Sequence, residues 1–586
     1  MTSYSSPGAS VLVSAPGGGG TDQTSQIVTT DRVGVAGYSP STTADPNVTP
    51  IDTVGNYTGI TGTSFSAPIV SGVVALMLQA NPHLGYRDVQ EILAYTARET
   101  SASLNLWKYN GAGNWNGGGL HYDAGGSTDA TDGHNLGYGL VDVRAAVRLA
   151  ETWSSISHTA ANREQVTTSH TVSQVIPDNM GSAAVAVGAY DSISVSRSID
   201  VERAEVTLNV THPFVGDLSV WLTSPSGTSS CLLWRPQQNR LAAFGTDQHD
   251  IHFTFDTVLS WGENSLGNWQ LRVYDNAAIS VGTFDSWTLN LIGKPASADD
   301  VYIYTDEFAQ ACLDQPSRST LTDTGGIDTI NAAACSSNLL LNLTAGSVSS
   351  INGRSFTIST GTIIENAFGG DGDDNISGND VSNVLSGGRG NDILDGGGGI
   401  DTALYIGVRA DYVITSISNG FRVISSKEGT DILTNVEFAQ FSDKTIALTV
   451  PDTTPPTVST FSPTDEDINV AIANNIVVTF NEAIIRGTGD ILLKNAAGTI
   501  IETYNAATSI NLSISGSTLT INPTTNLSYS TGYRVEFASS TIKDLAGNSY
   551  TGTTDYNFTT IPFVNTAPTG SVTITGNATQ NQTLTV

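Results

Sequence analysis

Gly62-Thr63-Ser64-Phe65-Ser66-Ala67-Pro68 runs directly into the apolar stretch Ile69 to Leu78. A glycine followed by a small hydroxyl-rich segment, a proline and a long uncharged run reads as the mouth of a buried helix with one serine at its entrance. Glycine permits a tight approach, and Pro68 suits a first helical turn, where its missing N–H costs nothing. The helix start offers unpaired N–H groups and a positive dipole end, a place that can hold an oxyanion. Ser64 is therefore a candidate nucleophile. An ordinary buried helix with a serine cap would show the same seven residues. Through Ile69, Val70, Val73, Val74, Leu76, Met77 and Leu78 the helix is apolar on nearly every side, so it is expected to cross a domain centre, with Gly72 permitting close packing.

Val89, Ile92, Leu93 and Thr96 mark a second amphipathic helix, and Leu140, Val143, Val147 and Ala150 a third, both facing the same core. The flanks of Ser64 extend the pattern in both directions. Upstream lie Tyr4 through Gly17 and Ile27-Val28-Thr29-Thr30-Asp31; downstream lie Asn81-Pro82, Tyr86-Arg87-Asp88-Val89-Gln90, Gly137-Tyr138-Gly139-Leu140-Val141-Asp142 and Trp153. In this order they resemble subtilisin-like serine proteases, nearest the kexin and furin branch and the bacterial calcium-dependent proteases built like it, over residues 1 to about 155. In that family an aspartate, a histidine in a His-Gly-Thr context and an oxyanion-hole asparagine precede the serine. Here none of the 63 residues before Ser64 is a histidine; the eight histidines begin at His83, and none is followed by glycine. Asp323-Thr324-Gly325 imitates the aspartate motif far downstream and reads as a turn. A serine hydroxyl is a weak nucleophile without its base. The chain therefore reads as the C-terminal part of a protease whose N-terminal catalytic half is a missing partner, and it is expected to be inactive alone.

The whole chain has 586 residues, 59 glycines, 13% charged residues, three cysteines and a formal net charge of -31. Such a composition fits a secreted, modular, β-rich protein of about four domains. No run of about 18 apolar residues predicts a membrane span, and no signal peptide is visible. The negative charge disfavours nucleic acid and anionic membrane surfaces and attracts divalent cations. Cys231, Cys312 and Cys335 form an odd set; Cys312 and Cys335 either pair or stay free.

Beyond residue 185 the apolar period becomes two. Ala204, Val206, Leu208 and Val210 alternate with polar residues, as do Leu218, Val220 and Leu222, then Ile251, Phe253 and Phe255, then Trp269, Leu271 and Val273, then Trp287, Leu289 and Leu291. Half-buried strands in this number predict a β-sandwich. Gly216-Asp217-Leu218, Leu222 through Thr228, and Trp261-Gly262-Glu263-Asn264 through Tyr274-Asp275 resemble the P domain of proprotein convertases, which packs on the catalytic domain and stabilises it. Asp217, Glu263 and Asp275 read as solvated turn carboxylates or as calcium ligands.

Residues 369–404 hold four nine-residue units opening at Gly369, Gly378, Gly387 and Gly396. In a parallel β-roll each unit forms a glycine-rich turn and a short strand. The eighth residues, Ile376, Leu385, Leu394 and Ala403, then point inward, and the sixth, Asp374, Asn383, Asp392 and Asp401, carry ligand oxygens. Two units make one coil, so Asp374 faces Asp392 and Asn383 faces Asp401; like charges so placed call for a cation. Calcium, which takes six to eight oxygens, is the expected cofactor, with turn carbonyls completing its shell. Asp323 through Ile330, Leu341 through Gly346 and Ile363 through Ala367 resemble the segment preceding this roll in serralysin-type secreted proteases, whose zinc motif is absent here. Modules of that type go with type I secretion, which implies an extracellular or cell-surface location.

Pro451 through Pro456 reads as a stiff linker. Alternation at Ile476, Val478 and Phe480, Leu512 and Ile514, and Leu519 and Ile521 predicts another sandwich, and its Asp544-Leu545-Ala546-Gly547-Asn548 resembles bacterial Ig-like surface domains. The expected organisation is multidomain and mainly β: a partial α/β subtilase domain at 1–155, a linker at 156–185, a P-domain sandwich at 186–293, a serralysin-like region with its roll at 294–450, an Ig-like sandwich at 451–562, and the start of a further repeat at 563–586. Function follows as a secreted, calcium-dependent serine endopeptidase acting on protein or peptide substrates through Ser64. The alternative is a non-catalytic, calcium-binding surface protein with a degenerate protease half.

Overall fold

The computed structural model describes residues 8–18, 27–30, 49–50, 57–100, 107–124, 134, 136–153, 162–178, 188–236, 246, 248–277, 280–449, 452–566 and 569–570. The stretches Tyr4 to Pro7 and Asp31, and most of the predicted repeat at 563–586, lie outside these residues. The protein is multidomain and mainly β, in two compact units, 1–449 and 450–586.

In the first unit, helix α1 (Thr63–Ala80) is followed by α2 (Tyr86–Thr96) and α3 (Val143–Thr152). All three periodic stretches are helical, but α1 is not sealed. Only Val73 and Met77 are buried, while Leu76 and Leu78 are 45% and 40% exposed. The described residues cover α1 on one side only, where Ala146, Leu149 and Ala150 of α3 close the core. Among the described residues nothing lies within 4 Å of a Cβ placed on Gly72. By length and composition alone α1 passes for a bilayer-crossing helix, a test that a core helix also passes. In α3 the inward face is carried by Ala146, Leu149 and Ala150, whereas Val143 is exposed.

Two four-stranded sheets follow and face each other across one core. Ala204, Val206, Leu208, Val210, Trp269, Leu271, Val273, Trp287, Leu289 and Leu291 are all buried in it. Phe253 is 59% exposed because its strand, Ile251–Thr257, lies at a sheet edge. The opposite edge strand, Glu164–Ile176, pairs along Gly282–Pro295 within the stretch read as a linker at 156–185. Its inward positions, Glu164, Val166, Thr168, His170 and Val172, mix polar with apolar side chains, which hides a strand from a hydrophobicity pattern. α2 grips this sandwich: buried Arg87 donates from Nε to Glu202 Oε2 at 2.6 Å and from Nη2 to the Gly293 carbonyl at 2.9 Å.

The remainder of the unit is a parallel roll of two sheets, in which strands 18 residues apart stack in register: Asn375–Ser377 on Ile393–Asp395, and Val384–Ser386 on Thr402–Leu404. Ile376, Leu385, Leu394 and Ala403 are fully buried along its axis. This roll docks on the helical segment through Arg318, 1% exposed, which donates to the carbonyls of Trp115 at 2.8 Å and Gly119 at 2.7 Å and lies over the Tyr109 ring. The second unit is a separate sandwich of a four-stranded and a five-stranded sheet around Ile476, Val478, Leu519 and Ile521.

The docking seam carries a proton-sensitive pair. His121 is buried between Trp107 and Trp115; its Nε2 lies 2.5 Å from the Tyr138 carbonyl and its Nδ1 3.4 Å from Glu307 Oε2. Both ring nitrogens thus face oxygens. Burial pushes His121 down to about 4 and Glu307 up to about 7, so between those values both groups are held neutral. An acid whose folded-state value is raised contributes stability present below its unfolded value and lost as pH rises through the folded one. The two shifts act with opposite sign: the depressed His121 makes stability rise between about pH 4 and 6.5, the raised Glu307 makes it fall between about pH 4.5 and 7, and at about 1.4 kcal/mol per unit the two nearly cancel. Glu307→Gln should remove the falling part and leave stability rising with pH beside a nearly flat unaltered protein, read as urea midpoints by tryptophan fluorescence at pH 5 and 8; an unchanged profile would count against it.

Candidate functional site

Gly62 has φ +151°, a conformation that favours glycine, and it swings the chain into α1 within one residue. Its N–H donates to the Gly17 carbonyl at 2.7 Å, and Ser66 Oγ donates to the Ala15 carbonyl at 3.0 Å. The extended segment ending at Gly17 is thereby laid along the helix mouth, close enough that a Cβ on Gly17 would meet Ser66 Oγ at 2.9 Å. Ser64, the second residue of α1, is exposed, and its hydroxyl makes no hydrogen bond among the described residues. Its N–H belongs to the first helical turn, which has no intrahelical acceptors. Pro68 falls in the second turn, not the first, because the helix already starts at Thr63. The cost is the bond its N–H would give the Ser64 carbonyl. His121 and His134 are buried against the carbonyls of Tyr138 and Asp123, and no described histidine is hydrogen-bonded to Ser64.

In the roll each sixth residue stands just before a strand, and backbone amides thread the side chains into ladders. Asp374 N–H donates to Asp392 Oδ1 at 2.8 Å, and Asn383 N–H to Asp401 Oδ1 at 2.7 Å. Both ladders run past the four repeats: Asp392 N–H donates to Asp431 Oδ1 at 3.1 Å, and Asp401 N–H to Glu437 Oε2 at 2.8 Å. Backward, Asp300 N–H donates to Asp328 Oδ1 at 2.8 Å and Asp328 N–H to Glu365 Oε2 at 2.7 Å. Asn383 departs from the pattern, its amide donating to the Glu365 carbonyl at 2.9 Å.

These acids are held as a cation's ligands would be. Asp374 spends both oxygens on amides, those of Leu339 and Gly370, at 2.8 Å each, whereas the second oxygens of Asp328, Asp392 and Asp401 are buried with no hydrogen-bond partner among the described residues. The opening glycine of every unit faces that position. A Cβ on Gly369, Gly378, Gly387 or Gly396 would lie 2.4, 2.3, 2.1 or 2.6 Å from the side-chain oxygen of Asp374, Asn383, Asp392 or Asp401. Burial is the main cause that raises Asp374 and Asp431 to about 7, Asp392 to about 8 and Asp401 to about 6. Four buried carboxyls that resist ionisation, with oxygens left over, fit a hard divalent cation.

Asp323 does form a turn, accepting from the Gly325 N–H at 2.6 Å, but it also joins Asp300 and Asp328 in a group whose ligand atoms all lie within 4.8 Å. Glu365, Asp431 and Glu437 carry the signal that would have found them, an acid one residue before an apolar-centred triplet. The three acids of the sandwich are not solvated. Asp275 Oδ2 lies 3.2 Å from His212 Nε2, Asp217 borders them, and Glu263 sits apart, accepting from the Gly111 N–H at 2.7 Å. All three cysteines are free.

A serine at the mouth of a helix, joined to a sandwich and an acid-laddered roll, defines a modular hydrolase-like chain. Residues 1–139 match the subtilase family, 201–291 the proprotein convertase P-domain, 314–444 the peptidase M10 serralysin C terminal, and 452–560 a bacterial Ig-like domain. The chain is 32% identical over 267 residues to proprotein convertase subtilisin/kexin type 5 of Homo sapiens, covering 44% of this chain and 13% of the convertase. It is 35% identical over 216 residues to a PC3-like endoprotease of Hydra vulgaris, covering 37% of this chain and 27% of that one. A solved serine protease of Aeromonas sobria is similar at 23% identity and a TM-score of 0.40, over 50% of this chain and 55% of that one. The first segment of the chain thus matches the subtilisin/kexin-like serine proteases and is followed by matches to a P domain, a serralysin-type C-terminal region and a bacterial Ig-like domain, while the chain spans less than a third of the length of these convertase-type relatives.

Proposed function

We propose that this chain is the nucleophile-bearing part of a secreted, calcium-dependent subtilisin/kexin-like serine endopeptidase. The observation that carries the reading is Ser64, solvent-exposed at the mouth of α1 inside the subtilase-matched residues. Ser64 Oγ attacks the peptide carbonyl while a histidine, oriented by an aspartate, takes its proton; both partners are supplied from outside residues 1–63. The Ser64 N–H, at the positive end of α1, helps hold the developing oxyanion. The histidine then returns the proton to the leaving amine, and water hydrolyses the acyl-enzyme.

Calcium held by Asp374, Asn383, Asp392 and Asp401, with Asp431 and Glu437 extending the ladders, would neutralise the buried carboxylates. Scarce calcium inside a cell leaves such repeats expanded and abundant calcium outside folds them, which supports an extracellular or cell-surface location through type I export. The Ig-like unit serves as a spacer or adhesive module.

A fluorophosphonate probe tests the reading. It should label Ser64 in a protein that joins this chain to a segment bearing the histidine and aspartate, and should leave the 586-residue chain alone nearly unlabelled. Labelling that survives Ser64→Ala, or fails in the joined protein, would overturn it.

A further inference from the structure

α3 lies between α1 and the roll. Its Ala146, Leu149 and Ala150 close the core that holds Val73 and Met77 of α1, and Asn81, just past the end of α1, donates from Nδ2 to the carbonyls of Ala150 and Trp153 at 3.1 Å each. Its other face carries Arg144, Arg148 and Thr152, spaced four residues apart along one side of the helix. Arg148 is 4% exposed. Its Nε donates to Asp371 Oδ1 at 2.6 Å, and Arg144 Nη1 donates to Asp371 Oδ2 at 3.1 Å, so both oxygens of that carboxylate are taken. Thr152 meets Asn331 of the roll at 3.0 Å.

Asp371 belongs to the first turn of the repeat array. In that same turn the Gly370 N–H donates to Asp374 Oδ2 at 2.8 Å, while Asp374 N–H donates to Asp392 Oδ1. One six-residue turn, 369–374, therefore presents Asp371 outward to the two arginines and Asp374 inward to the cation-fitting ladder. Arg148 also pairs with Glu151 and Arg144 with Asp306, so losing Asp371 would loosen the hold of the turn on α3 while each guanidinium keeps one carboxylate.

We propose that turn 369–374 couples cation binding in the roll to the helical segment bearing Ser64, with Arg144 and Arg148 on α3 reading the position of Asp371. Filling the Asp374–Asp392 site fixes the turn, the fixed turn holds Asp371 under both arginines, and α3 is thereby pinned against α1. This rests on the calcium reading proposed above and adds to it a direction of control. Coupling is reciprocal, so loosening the arginine contact must also weaken cation binding, by about tenfold if it is of ordinary strength.

Hydrogen exchange on the whole chain, with calcium chloride added or removed, tests it without any activity assay. Calcium should slow exchange in residues 375–404 and also in α1 and α3. In Asp371→Asn, which leaves every ladder acid in place, calcium should still protect 375–404 but no longer α3, and Arg148→Met should raise the calcium concentration needed for half-protection about tenfold. Strand Ile199–Thr211 reports that each variant is folded, and Arg148→Lys, keeping the charge, should regain part of the protection. Protection of the roll without α3 in the unaltered chain, or of α3 undiminished in Asp371→Asn, would overturn the coupling alone. Absence of any calcium protection in the roll would overturn the calcium reading with it.

Discussion

Ser64→Ala is expected to lower peptide hydrolysis by the protein carrying the complete triad by about a millionfold, the order of loss seen when an activated serine is removed. Two serines stand two residues apart at the mouth of α1, on roughly opposite sides of the helix, and the structure distinguishes them. Ser66 Oγ is committed to the Ala15 carbonyl at 3.0 Å, a bond that fixes the preceding segment. Ser64 is exposed and its hydroxyl is uncommitted among the described residues, with Gly62 at φ +151° just before it. Ser66→Ala should accordingly cost stability of about 1 kcal/mol, the worth of one hydrogen bond, and little rate. The measurement is kcat/KM on a peptide substrate for both variants beside the unaltered protein. A large loss with Ser66→Ala and a small one with Ser64→Ala would reverse the assignment.

What could be read from residues alone follows where burial enforces a period. α2 shows its face because Ile92, Leu93 and Tyr95 are all sealed, and the sandwich shows its strands because Trp269, Leu271 and Val273 alternate inward. The roll was legible because turn and strand are locked together: glycine is needed at each unit's first position by the close approach of the sixth side chain, so the two recur at fixed spacing. Where the spacing breaks, the signal fails. Asp328, Glu365, Asp431 and Glu437 occupy equivalent places on the ladders, but loops of unequal length separate them, and a period-nine search stops at 404. Strand Glu164–Ile176 was missed because a polar edge strand buries little. The burial of α1 was over-read: apolarity on all sides says what a helix tolerates, whereas the described chain covers one side of it.

Chelating calcium is expected to abolish the β circular dichroism contributed by residues 315–450. Each cation held at a thousandfold excess over its Kd adds about 4 kcal/mol to folding, so two sites add about 8 kcal/mol, as much as the whole stability of many domains. The opposing term is the buried ladder itself. Burial raises Asp374 and Asp431 to about 7 and Asp392 to about 8, against about 3.9 in an unfolded chain. Between those values the unfolded state binds fewer protons than the folded one, so the stability of the calcium-free roll falls as pH rises from about 4 to 8. Mild acid should therefore partly replace calcium, and a chelated roll should be more folded at pH 5 than at pH 8. Asp392→Asn separates the two terms. Asparagine still offers an oxygen to the Asp374 N–H, now 2.8 Å from Asp392 Oδ1, but brings no charge. It is expected to stabilise the chelated roll at pH 8 while weakening its response to calcium, two changes of opposite sign in one circular dichroism titration. If the variant instead loses structure in both conditions, the ladder is held by something other than the balance of buried charge against a cation.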